Sequence, residues 1–339
     1  MTTMRTTVSA APWLAGLVLL FLAPFVLGVT GIRGLLEVLF LAVAVMSLNL
    51  LTGFNGQPSI GHSALMGLGA YTTALAVQNY GWSYWTVLPL AILIAALVGA
   101  VAGIPALRIR GMNLALVTMA LALVFPQIPV RFTDWTGGTA GLTVDRNLSA
   151  PASLGVSDVA WQYWVLLTIT ALVFLLIRNV MHSSIGRSLI AIRDQHVAAH
   201  TVGVNVKATK VAVFAASAAV AGVAGWMFTV ANQFVSPGDF TVLVSINLLL
   251  GMAIGGSGTL VGPILGAVFL HYVPELLAAA GVNPQLTPAV YGVLLILLTF
   301  FLPQGLAGGA RTVIQRLRGP RGGAVTPEKE PSSPRPVAA

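Results

Sequence analysis

Apolar stretches long enough to cross a bilayer follow one another along this chain. A spanning helix needs about 20 mostly apolar residues. Ten stretches meet that rule, near 13–31, 35–53, 60–79, 84–106, 111–130, 159–178, 208–232, 240–257, 260–280 and 287–303. Only 8% of the residues are charged, against roughly 25% in a soluble domain. So few charges cannot cover a water-facing surface, so most of the exterior must face lipid. The expected fold is therefore an all-α integral membrane protein of about ten transmembrane helices. The third stretch is rich in Gly, Ser and Thr, which leaves a broken or partly re-entrant segment open there. The apolar run from Trp13 to Val29 exceeds the core of a signal peptide and reads as a retained first helix.

Orientation follows from the basic residues, which concentrate in cytoplasmic loops. With ten alternating helices and a cytoplasmic N-terminus, 14 of the 17 Lys and Arg residues fall inside. Only Arg33, Arg131 and Arg146 fall outside. Both termini are then cytoplasmic. Topology thus accounts for the net charge of +8, and no nucleic-acid partner is needed to explain it. Residues 1–310 read as a transmembrane permease domain, and 311–339 as a basic, Pro-rich cytoplasmic tail too polar to bury a core. Two loops stand out: an external Gly-rich one over 131–158, and an internal basic one over 178–210.

Three segments carry more than hydrophobicity. The first runs from Leu48 to Ala64 and interrupts an apolar region with amides, glycines and Pro58. Irregular backbone at membrane depth survives only inside protein or beside water. Asn49, Asn55, Gln57, Ser59, His62 and Ser63 are therefore candidates for a polar substrate path, with a plain cytoplasmic connection between two helices as the equal alternative. The second covers about 183–205. Leu189, Ile192, His196 and Ala199 fall at helical spacing, Ser183 or Ser184 suits an N-cap, and Gly203 suits the end. This reads as a short surface helix, either an interfacial anchor or a docking element for a cytoplasmic motor. The third, Gly255 to Gly266, lacks the Gly-x4-Gly-Lys pattern of a phosphate loop. Its Gly262 and Gly266, like Gly99 with Gly103 and Ala218 with Gly222, form small-xxx-small pairs that let helices approach closely.

In order and spacing these segments resemble the permeases of branched-chain amino acid ABC importers, the larger M-type (LivM-like) subunit. The run from Asn49 to His62, the run from Gly186 through Asp194 to Asn205, and Gly255 to Pro263 carry the likeness, which extends over about 35–308. His196 and His200 stand where members often have acidic residues. The resemblance implies a transport subunit in the inner (cytoplasmic) membrane, not an enzyme. It implies a second permease subunit, two cytoplasmic ATP-binding subunits that use ATP and Mg, and an extracytoplasmic solute-binding protein. It implies no cofactor or metal on this chain. It also makes Gly186, Arg187, Ala191, Arg193, Asp194, Ala198, Ala199 and Gly203 candidates for coupling to the ATPase. Branched-chain or related amino acids are the expected cargo. Urea or short amides are the alternative, and ion-coupled secondary transport is a more distant one.

Ionisable residues inside helices are few. His271 and Glu275, four apart, read as a structural pair, while Glu37 and Asp239 read as interfacial. Trp82, Tyr84, Trp85, Trp161, Tyr163 and Trp164 read as aromatic belts at the outer interface.

Overall fold

The computed structural model describes residues 20–109, 111–201, 203–281, 283–286 and parts of 289–309. The start of the first apolar stretch (13–19), most of the tenth, and the tail over 311–339 lie outside the described residues. The rest is a helical membrane protein. Among the described residues six helical segments are long and apolar enough to span a bilayer. The principal helices are α1 (Val29–Leu48), α2 (His62–Tyr80), α3 (Tyr84–Gly103), α4 (Met112–Val124), α5 (Asp158–His182), α6 (Ser184–Asp194), α7 (Val206–Asn232), α8 (Val242–Gly255) and α9 (Gly262–Ala279).

Burial sorts these helices. The segment Val29–Phe54 is 78% buried and α7 67% buried, whereas α3 is only 28% buried. So α1 and α7 form the centre, and α3 keeps a wide lipid-facing side. Helix α7 packs on α1, α2 and α3. Small residues set that closeness. A side chain on Gly99 would strike Ala218, one on Gly222 would lie 2.7 Å from the Ala95 methyl, and one on Gly266 would strike the Gly251 carbonyl. The paired small residues are therefore packing surfaces, as expected.

Helix ends follow local chemistry. Ser83, Ser157 and Ser183 each accept a backbone N–H at the start of α3, α5 and α6, and Asn205 does so for α7. The third apolar stretch is one unbroken helix ending at Gly81, whose φ is 70°. The boundary expected near Arg33 falls instead at Leu27–Gly28, and Arg33 lies within α1. A single helix over 183–203 is also corrected. It divides at Gln195, whose backbone is extended, into α6 and a short helix His196–Thr201.

The segment over 131–158, expected to be external, is tied down. Its strand β1 (Leu142–Thr143) pairs antiparallel with β2 (Phe234–Val235), directly after α7. Gln78 Nε2 donates to Asp145 at 2.9 Å, and Asp145 N donates back to Gln78 at 3.0 Å. Trp82 and Trp85 are about half exposed, so their rings are available to a surrounding bilayer. Tyr84 and Tyr163 are buried instead, because their hydroxyls reach the carbonyls of Arg146 and Leu20.

Candidate functional site

Helix α1 does not stop at Leu48. Its ladder widens into a π-helical turn over Asn49–Phe54. Such turns are rare and concentrate at functional sites. Thr52 Oγ1 donates to the Gln57 carbonyl at 2.9 Å, closing the polar loop that follows. Asn49 is fully buried and points at the turn between α8 and α9. Its Oδ1 accepts from Gly258 N at 2.8 Å, and its Nδ2 donates to the Thr259 carbonyl at 2.8 Å. Gly258 has φ +69°, which favours glycine. The Gly53 carbonyl accepts from Arg193 Nη1 at 3.1 Å. The three segments that stood apart in the sequence thus meet in one knot.

A second polar system starts five residues after the π turn, at Ser59. Gly61 N donates to Ser59 Oγ at 3.4 Å, Ser59 Oγ lies 3.0 Å from His62 Nδ1, and His62 Nε2 lies 2.8 Å from Ser217 Oγ. Ser217 in turn donates to the Ser47 carbonyl at 2.6 Å. Its only proton is then committed, so it must accept from His62 Nε2–H. For the neutral imidazole, this places the proton on Nε2 and makes Nδ1 the acceptor from Ser59 Oγ. The chain joins α1, the loop, α2 and α7, all buried. Ser63 makes a third link: Ser245 Oγ accepts from Ser63 N at 2.9 Å and donates to Ser63 Oγ at 2.7 Å.

The six path candidates therefore do not share one surface. Asn49 is clamped to a turn, Ser59 and His62 lie in the buried chain, and Ser63 is bound to α8. Asn55 and Gln57 differ. Both are buried, and none of their amide atoms has a hydrogen-bond partner among the described residues. They line a cavity of about 120 Å³ with Ile109, Leu114, Arg193 and Lys210. Buried amides without partners are costly, and a polar cavity of this size holds water or a polar ligand group.

The coupling candidates sort by exposure. Leu189, Ile192 and Gly186 are buried, and Ala199 packs with Ile192 and Val206. Arg187 and Asp194 are exposed, Ala191 is half-buried, and Gly203 turns the chain with φ +83°. Ala198 lies among side chains outside the described set. Ile185 and Val197 leave apolar surface outward, at 57% and 75% exposed. Ser47, Ser217 and Ser245 were missed from sequence. Their signal was a hydroxyl on an otherwise apolar helix, which marks a face turned toward another helix.

The description "Branched-chain amino acid transport system / permease component" belongs to the family whose pattern matches residues 31–299. The chain belongs to this permease family. It is 31% identical to the high-affinity branched-chain amino acid transport system permease protein LivM of Escherichia coli K12, over 77% of this chain and 66% of that relative. The LivM of Salmonella typhimurium is equally similar. The autoinducer 2 import system permease protein LsrC of an Enterobacter species is 31% identical over 71% of this chain and 68% of its own length. The chain thus spans just under two thirds of the LivM relatives it matches. No solved structure matches it. Relatives of this permease family are transport components, and their membership fits a multi-pass membrane protein. The knot and the buried serine–histidine chain both lie within the matched stretch.

Proposed function

We propose that this chain is one permease subunit of an ATP-driven importer of branched-chain or related amino acids in the inner membrane. The family match over residues 31–299 carries the reading. The chain has ten membrane helices with both termini in the cytoplasm. Contacts among the described helices support an alternating course through the bundle. Gly53, Ile109, Arg193 and Gly258 gather at one end of the bundle, while Gln78, Asp145, Arg146 and Phe234 gather at the other. The first end carries α6 and its outward Ile185 and Arg187, where two cytoplasmic ATP-binding subunits dock. The second end receives cargo from an extracytoplasmic binding protein. A second permease subunit completes the path, which runs between the two permeases. ATP and Mg stay on the partner chains.

Asn55 and Gln57 are the best-supported residues of the substrate path, because burial leaves their amides without partners. The test is uptake of labelled leucine by cells that lack their own importers and express this chain with its gene neighbours. Uptake that stops on ATP depletion and survives collapse of the ion gradients supports the proposal. The reverse pattern refutes it. A panel adding urea, short amides and autoinducer 2 identifies the cargo.

A further inference from the structure

The inward side of the coupling segment holds a contact that its docking role does not require. Arg193 closes α6, and although the residue is exposed, its Nη1 reaches inward and donates to the Gly53 carbonyl. Its Nε meanwhile donates to Asp194 at 3.0 Å, which fixes the plane of the fork. Gly53 belongs to the π turn: the Leu51 and Thr52 carbonyls there accept from Gln57 N and Gly56 N, while the Gly53 carbonyl accepts from Arg193. The space around that carbonyl admits nothing larger. A Cβ on Gly53 would lie 2.6 Å from Gly258 N, and one on Gly56 would lie 2.8 Å from Arg193 Cγ. Asn49, on the same π turn, holds Gly258 and Thr259.

We infer that Arg193 is a latch that ties the end of α6 to the π turn, and through Asn49 to the turn between α8 and α9. Resting on the importer reading above, this makes Arg193 a positioning residue for transport. Displacement of α6 by the motor pulls on the Gly53 carbonyl. The two turns then follow as one body, because Asn49 bridges them with two bonds in opposite senses. The neighbouring Ile192 and Leu189 are buried and hold α6 against the bundle by packing. Packing alone permits sliding, whereas the guanidinium bond fixes a register.

The test uses the whole importer, purified through a tag on this chain and reconstituted in liposomes. Three quantities are read: ATPase subunits recovered, ATP hydrolysed, and leucine transported. Arg193→Gln should keep the ATPase subunits and most hydrolysis, while transport falls about tenfold, so that ATP used per leucine rises. Arg193→Lys, which retains a donor of similar reach, should recover part of that loss. Gly53→Ala, which strikes the same knot from its other side, should also raise the ratio. Wild-type transport in Arg193→Gln would overturn the latch. Loss of hydrolysis and ATPase recovery in step with transport would also overturn it, since that outcome marks a docking residue. If the unaltered chain recovers no ATPase, the importer reading fails and the latch falls with it.

Discussion

Asn49 and Gly258 stand 209 residues apart in the chain and share a 2.8 Å hydrogen bond. With the return bond from Asn49 to Thr259, this amide is the sole side chain that bridges the two turns by hydrogen bonds among the described contacts. Asn49→Ala leaves one part-buried donor, Gly258 N, and one part-buried acceptor, the Thr259 carbonyl, unpaired. Each costs about 1–3 kcal/mol. Thermal unfolding in lipid nanodiscs should therefore show clear destabilisation. An unchanged midpoint would mean that water replaces the amide.

The serine–histidine chain makes a prediction about direction. Ser217→Ala removes the acceptor of His62 Nε2–H and the donor to the Ser47 carbonyl. Bonds between membrane helices are worth about 0.6–2 kcal/mol each. Ser217→Thr keeps the hydroxyl and should be milder. Equal losses for both variants would show that size at this site matters more than bonding.

His271 distinguishes two acids. Its Nδ1 lies 2.9 Å from Glu37, while its Nε2 lies 3.6 Å from Glu275, beyond hydrogen-bond range. Both carboxylates are substantially exposed on their helix surfaces. A double-mutant cycle should give about 0.5–1 kcal/mol for Glu37 with His271 and close to zero for Glu275 with His271. Comparable coupling for both would contradict this geometry.

Close helix contact makes Gly266 intolerant of bulk. Gly266→Leu drives a side chain into the Gly251 carbonyl across the α8–α9 contact. Overpacking typically costs about 1–3 kcal/mol, and more where backbone is struck. Yield of monodisperse protein on size exclusion should fall sharply. Gly292→Leu, where no described atom lies within 4 Å of an added Cβ, should leave the yield intact.

The absence of cysteine makes topology easy to read. In intact cells, an impermeant thiol reagent should label Leu154→Cys and spare Ile185→Cys. Both positions are more than half exposed, at 51% and 57%. Inside-out membranes should reverse the pattern. Labelling of Ile185→Cys from outside would invert the proposed orientation.

Hydrophobic run length made the membrane helices legible, and small-residue spacing made their packing legible. Both are local signals. The π turn was not legible, because Asn-Leu-Leu-Thr-Gly-Phe suits an α-helix as well, and only tertiary partners select the wider ladder. The division at Gln195 was equally silent, since apolar spacing continues across it to Ala199. For His271 the four-residue spacing identified a true neighbour in Glu275. The nearer partner, Glu37, came from another helix, where no sequence period points. The knot escaped for the same reason. Each of its three motifs was visible, but separations of 140 and 209 residues carry no local trace of their meeting.

The ribbon between Leu142–Thr143 and Phe234–Val235, extended by the 2.8 Å bond from Val144 N to the Gln233 carbonyl, bolts the long external segment to the exit of α7. Gln78 stitches the same segment to the tip of α2. That rim is consequently cross-linked by backbone and side-chain bonds from three parts of the chain, whereas the opposite end of the bundle carries the π turn.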